Sequence, residues 1–167
     1  FNKNGYKELS KIEDKLTKKI KGQDEAIREL CDLTKRIKLG FRTNDKPASF
    51  LFVGPTGVGK TYLVKEYSKL INGDNNLIRL DMSEYKEGHS ISKIIGSPPG
   101  YVGYNDNNSI LELIKDKPYS VLLLDEVEKA NSNILNLFLQ ILDEGFATNS
   151  KGEKIYFNNI LIIMTSN

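Results

Sequence analysis

Gly54-Pro55-Thr56-Gly57-Val58-Gly59-Lys60-Thr61 constrains this 167-residue chain more than any other stretch. It fits G-x-x-x-x-G-K-[ST] in full. The apolar run Ser49-Phe50-Leu51-Phe52-Val53 before it reads as a buried strand. Residues 61–71 after it read as a helix, with Leu63, Val64, Tyr67, Leu70 and Ile71 apolar and Gly73 as the stop. Strand, glycine-rich turn and helix in that order build a ring of backbone N–H groups around an anion. Glycines let the backbone close without Cβ clashes, and the helix aims its positive end at the same point. Lys60 adds a full charge suited to β- and γ-phosphates, and Thr61 a hydroxyl suited to Mg²⁺. The alternative is a glycine-rich turn with no ligand, against which the flanking strand and helix both weigh.

Three further apolar runs read as buried strands: Leu77-Ile78-Arg79-Leu80-Asp81, Val121-Leu122-Leu123-Leu124 and Ile160-Leu161-Ile162-Ile163-Met164. Helical patterns alternate with them. Residues 6–20 carry Leu9, Ile12, Leu16 and Ile20 on one face. A second pattern runs from about Asp24 towards Gly40, with Ile27, Leu30, Cys31, Thr34 and Ile37 on its stripe. A short helix around Ile110–Ile114 closes at Pro118, and residues 133–143 form another, capped near Asn131 or Ser132. Ser150-Lys151-Gly152 reads as a hairpin turn. Continuously apolar strands alternating with helices predict an α/β fold, a mostly parallel sheet covered on both faces.

Composition narrows the function. Charged residues are 28% and hydrophobic ones 39%, as in a globular domain. Basic residues number 24 against 22 acidic, which gives no electrostatic reason to expect nucleic acid or membrane as a partner. No apolar run approaches the ~20 residues of a membrane-spanning helix. One Cys and one His exclude a disulfide framework and make Cys/His metal chemistry a poor fit. Cys31, on a helical stripe, reads as a core residue. Lys supplies 20 of the basic residues and Asn occurs 16 times, a bias of the source and not of the physics. The chain starts at Phe1 without a signal core and stops directly after a strand, so a fragment is expected.

The third strand ends in Asp125-Glu126. Two carboxylates at one strand end repel unless a cation sits between them. Asp125 suits Mg²⁺, directly or through water, and Glu126 suits polarising an attacking water; a solvent-facing acidic turn is the alternative. Beside the glycine-rich loop the pair predicts a Mg²⁺-dependent triphosphatase. A GTPase would need Asn-Lys-x-Asp, which does not occur, and a small-molecule kinase would not need the acidic pair, so ATP is favoured. Asn167, ending the fourth strand, is either a polar terminus or an amide that positions the water. Gly100-Tyr101-Val102-Gly103-Tyr104 sets aromatics between glycines. Its tyrosines either tuck into the domain or present an exposed ring that grips extended polypeptide without reading its sequence.

Five segments together are similar to the Clp family of AAA+ unfoldases: Gly54–Thr61, Leu80–Tyr85, Ile95–Tyr104, Asp125–Ala130 and Ile163–Asn167. The likeness covers about Tyr6 to Asn167 and is to the second ATPase module of the ClpA, ClpB and ClpC type. Ser97-Pro98-Pro99 and Ile78–Asp81 look most like ClpC. The resemblance implies a P-loop AAA+ large subdomain. Its helical segment 1–46 would border the nucleotide, its sheet core would be 49–167, and the last strand and the small helical subdomain would lie beyond. It implies a homo-hexamer that threads unfolded polypeptides through a central pore, with a Clp peptidase as a further candidate partner. ATP and Mg²⁺ would be held by Gly54, Pro55, Thr56, Gly57, Val58, Gly59, Lys60, Thr61 and Tyr62, with Thr61 and Asp125 on the metal. Lys60, Glu126 and Asn167 would serve catalysis, Asn167 as the first sensor. Gly22-Gln23-Asp24 resembles the segment bordering the adenine, with Ile20 on the base and Lys21 where the family has an apolar residue. Gly100, Tyr101, Val102 and Gly103 would form the pore loop, and Glu87–Ser90, with His89, a second channel-facing loop. Asn105–Ser109 replaces an acidic-Gly-Gly run, and Asn131 stands where the family has His. An arginine finger and a second sensor arginine would come from beyond Asn167, so residues 1–167 should bind ATP better than they hydrolyse it. A nucleotide-switched AAA+ scaffold or nucleic-acid remodeller is the alternative. The compartment implied is intracellular and possibly a plastid-derived organelle of apicoplast or chloroplast type.

Overall fold

A computed structural model describes residues 24–38, 45–54, 59–72, 76–104 and 108–167. The expected helix 6–20, Ile20 and Lys21, Gly22-Gln23, Pro55 to Val58, Gly40, Gly73 and residues 105–107 lie outside them.

The described residues fold around a four-stranded parallel sheet in the order β1-β6-β3-β2. Its strands are β1 (Ala48–Val53), β2 (Leu77–Asp81), β3 (Val121–Asp125) and β6 (Leu161–Ser166). All three pairings are parallel, so each connection crosses a face of the sheet and every strand's carboxyl end points the same way. The helices are α1 (Asp24–Lys38), α2 (Lys60–Asn72), α3 (Ser92–Ile95), α4 (Ile110–Asp116) and α5 (Ser132–Glu144). A hairpin of β4 (Phe146–Thr148) and β5 (Lys154–Tyr156) follows α5, turning at the expected Ser150–Gly152.

Each face of the sheet buries its own cluster. Leu63, Val64 and Tyr67 of α2, with Ile27, Leu30 and Cys31 of α1, pack on Phe52, Val121, Leu123 and Ile163. Thr34 and Tyr67 share a hydrogen bond that ties the two helices together, and burial raises the phenol's pKa despite it. Ile94, Leu111, Ile114, Ile134, Phe138 and Ile141 cover the opposite face through Leu80, Leu122, Leu124 and Ile162. β3 is buried along its whole length, as its unbroken apolar run requires. Asn131 caps α5: its Oδ1 accepts from the Asn133 N–H at 2.9 Å.

One expectation needs correction. Ser49–Val53 is not a fully buried strand. β1 pairs only with β6 among the described residues, and Leu51 and Val53 are more than half exposed because no helix covers their face at that edge. Along this edge Glu25, Ala26, Glu29 and Phe50–Val53 line a groove of about 300 Å³. The strand that precedes Gly54 and the strand that leads to Tyr101 lie apart. They are the opposite edges of the sheet, because β6 and β3 insert between them.

Candidate functional site

The carboxyl ends of β3 and β6 meet the start of α2 at a cavity of about 360 Å³. Gly59, Lys60, Thr61, Tyr62, Asp125, Glu126, Thr165 and Asn167 line it. Parallel pairing sets these positions: Val53 lies beside Ser166, Asp81 beside Asp125, and Leu124 beside Met164, so the chain leaves each strand on the same side. Ligands in open α/β sheets bind at such strand ends.

Lys60 opens α2 and is buried. Its ammonium donates to the carbonyls of Gly54 at 2.5 Å and Ser166 at 2.8 Å. Both acceptors are neutral. A buried cation held by carbonyls alone is a poor resting state for a charge, and an anion placed there would compensate it. Ser166 O also accepts from Gly54 N at 3.1 Å, so one carbonyl holds together the ends of β1 and β6. Tyr62 is half exposed at the rim.

Asp125 ends β3 with only a tenth of its side chain exposed. Thr165 Oγ1 donates to Oδ1 at 2.6 Å; Thr61 Oγ1 and Arg79 Nη2 each donate to Oδ2 at 2.9 Å. Burial pushes this carboxyl up, but the hydrogen bonds from Thr165, Arg79 and Thr61 outweigh it and hold the pKa below the ordinary carboxylate value. Glu126 follows with φ +59°, the left-handed region that costs a side-chain-bearing residue on the order of 1–3 kcal/mol. Two contacts hold it there. Its N–H donates to Thr165 Oγ1 at 2.9 Å, and its carboxylate pairs with Lys129 at 2.9 Å, which raises the lysine's pKa. The two adjacent carboxylates therefore repel less than their spacing suggests, since each faces its own cation.

Of the residues expected from sequence, the cavity brings together Gly59, Lys60, Thr61, Tyr62, Asp125, Glu126 and Asn167. Thr61 and Asp125, both expected at a metal, touch each other. Gly54 contributes its carbonyl. A divalent cation fits the Thr61 hydroxyl and Asp125 carboxylate, a hard oxygen set, and a triphosphate fits the Lys60 ammonium. The sequence reading missed Arg79, Thr165 and Lys129. Arg79 gave a signal: a lone charge inside the apolar run of β2, on the same face of the sheet as Asp125. Thr165 gave none, because a threonine in a strand needs no explanation.

The tyrosine loop stands apart from the cavity. Gly100 and Gly103 have φ of +84° and +91°. Tyr101 N donates to Pro98 O at 3.1 Å and Tyr104 N to Tyr101 O at 3.2 Å, so the segment is two successive turns. Val102 is 99% and Tyr101 69% exposed, which decides against rings tucked into the domain at that position. Tyr104 is partly buried beneath Lys151, whose Nζ lies 5.7 Å from the ring centre. Glu87 and His89 are exposed, and Gly88–Ile91 forms a single 3₁₀ turn.

Residues 45–167 match the AAA domain family, Cdc48 subfamily. The chain is 52% identical over 161 residues to the chaperone protein ClpB of Aquifex aeolicus, covering 95% of this chain and 16% of that protein. It is 52% identical over 163 residues to the ATP-dependent Clp protease ATP-binding subunit ClpA homolog of Trieres chinensis, covering 96% and 18%. A closed-state cryo-EM reconstruction of Hsp104 with ATPγS and FITC casein superposes with TM-score 0.91 at 38% identity, over all of this chain and 29% of that one. The chain thus spans less than a third of each of these three.

Proposed function

The chain belongs to the AAA domain family, Cdc48 subfamily, and on that premise we propose that it is the ATP-hydrolysing motor module of a Clp-type unfoldase. One observation carries the proposal: Lys60, Thr61, Asp125, Glu126 and Asn167, from two strand ends and one helix start, line a single cavity. Lys60 would exchange its two carbonyls for the β- and γ-phosphates. Thr61 and Asp125 would hold Mg²⁺. That ion supplies charge neutralisation on the phosphate oxygens when bound. Glu126 would accept the proton of the water that attacks the γ-phosphorus, its backbone fixed by the Thr165 hydroxyl. Asn167 would orient that water through its amide.

The exposed Tyr101-Val102 tip supports a polypeptide-gripping loop, since exposed aromatic and aliphatic surface with free backbone turns can hold chain without reading side chains. By likeness to ClpB, ClpA and Hsp104, the assembly proposed is a hexameric ring and the substrate an unfolded polypeptide; transfer to a Clp peptidase would make it a protease partner. The division proposed for the chain is a nucleotide-bordering segment 1–46 and a sheet core 49–167. The compartment proposed, a plastid-derived organelle, rests on ClpC-like residues and the Lys and Asn bias. No helix among the described residues is long and apolar enough to cross a membrane.

Glu126→Gln tests the assignment. In the full-length protein the variant should retain saturable binding of Mg–ATP by calorimetry while phosphate release falls ~10²–10⁴-fold, the range of a positioned general base. Equal phosphate release by the variant and the unaltered protein would overturn it.

A further inference from the structure

Three donors engage the carboxylate of Asp125, and two of them share Oδ2. Oδ1 accepts from Thr165, and Oδ2 accepts from both Thr61 and Arg79 at 2.9 Å. A carboxylate oxygen offers about two lone-pair directions. A bare divalent ion arriving at Oδ2 would have to displace a donor, and would meet the Arg79 guanidinium at contact distance. The local charges point the same way. Lys60 lines the same cavity as Asp125, whereas Glu126 is engaged by Lys129 and Asp81 by Ser83 N and Oγ at 3.0 and 2.7 Å. Among the described residues no cluster of three or more His, Cys, Asp or Glu could hold a metal unaided.

We propose that Arg79 keeps free divalent cations off Asp125, so that the metal enters only as its complex with a triphosphate. Such a complex is an anion. Arg79 and Lys60 attract it, and they repel the bare ion. The choice of side chain fits. In a chain where 20 of 24 basic residues are Lys, this position carries Arg, which is charged at every accessible pH. Its partner oxygen is close to buried while Arg79 itself stays partly exposed, so the guanidinium can yield when a phosphate supplies compensating charge. Arg79 is a positioning residue acting through Asp125. The proposal rests on reading Asp125 as a metal-holding group.

Titration of MnCl₂ without nucleotide, followed by electron paramagnetic resonance, tests it. The unaltered protein should show no saturable Mn²⁺ site below ~1 mM. Arg79→Gln, which removes the charge and leaves a donor, should gain a single site at least roughly tenfold tighter, the scale of losing one contacting unit charge between surface and interior screening. Arg79→Lys should remain without it, and Arg79→Gln with Asp125→Asn should lose the gain. A stoichiometric Mn²⁺ site in the unaltered protein overturns the proposal whether or not any variant folds. So does a folded Arg79→Gln that binds no better. Mg–ATP binding to the unaltered protein, measured alongside, separates the two readings. If it binds and Arg79→Gln gains nothing, only the Arg79 assignment falls; if it does not bind, the nucleotide reading falls first.

Discussion

At the residue scale the site is a set of charges that satisfy one another. Lys60 rests on two carbonyls, Asp125 on two hydroxyls and a guanidinium, and Glu126 on Lys129. Lys60→Ala should weaken Mg–ATP binding about 100-fold or more, given ~3 kcal/mol at the upper end for a charged hydrogen bond; equilibrium binding of a fluorescent analogue reads it. Thr165→Val keeps the shape of a buried side chain but strips a donor from Asp125 and an acceptor from Glu126 N–H. It should cost roughly 1–3 kcal/mol in urea unfolding. Asp125 also links stability to pH. Its folded pKa lies below its ordinary value, so its contribution is present above about pH 4 and is lost as pH falls through the folded value. Comparing urea midpoints from about pH 6 to about pH 3, Asp125→Asn should lack this component. Parallel loss in both proteins would count against it.

At the element scale, most of what positions the site was readable and part was not. β2 and the helices α2 and α5 fell within a residue or so of their expected bounds, because unbroken apolar runs and 3.6-residue stripes leave little choice between strand and helix. What periodicity does not encode is which strands become neighbours. β1 and β2 come first in the chain, yet they lie at opposite edges of the sheet. The contact between the strand leading to Tyr101 and the cavity is Arg79 on Asp125, reaching across from β2 to β3. Tyr101→Ala in the full-length protein should leave ATP turnover near that of the unaltered protein and abolish unfolding of a tagged fluorescent substrate; normal unfolding would remove the loop from the account. Gly145 ends α5 at φ +84°, and a Cβ there would stand 1.7 Å from the Asp45 carbonyl oxygen. Gly145→Ala should therefore lower the melting temperature by several degrees, on the order of 2 kcal/mol or more.

At the scale of the whole molecule, two apolar clusters clamp the parallel sheet from both faces and leave its carboxyl ends open as a rim. The rim carries the nucleotide cavity, and the exposed tyrosine loop lies outside it. The central claim is that this rim binds magnesium-bound ATP through Lys60, Thr61 and Asp125. Isothermal titration of Mg–ATPγS into the purified protein tests it most directly. The account predicts one saturable site per chain that vanishes in Lys60→Ala. A folded protein that takes up no nucleotide with the metal present, or a Lys60→Ala variant that binds equally well, would contradict it.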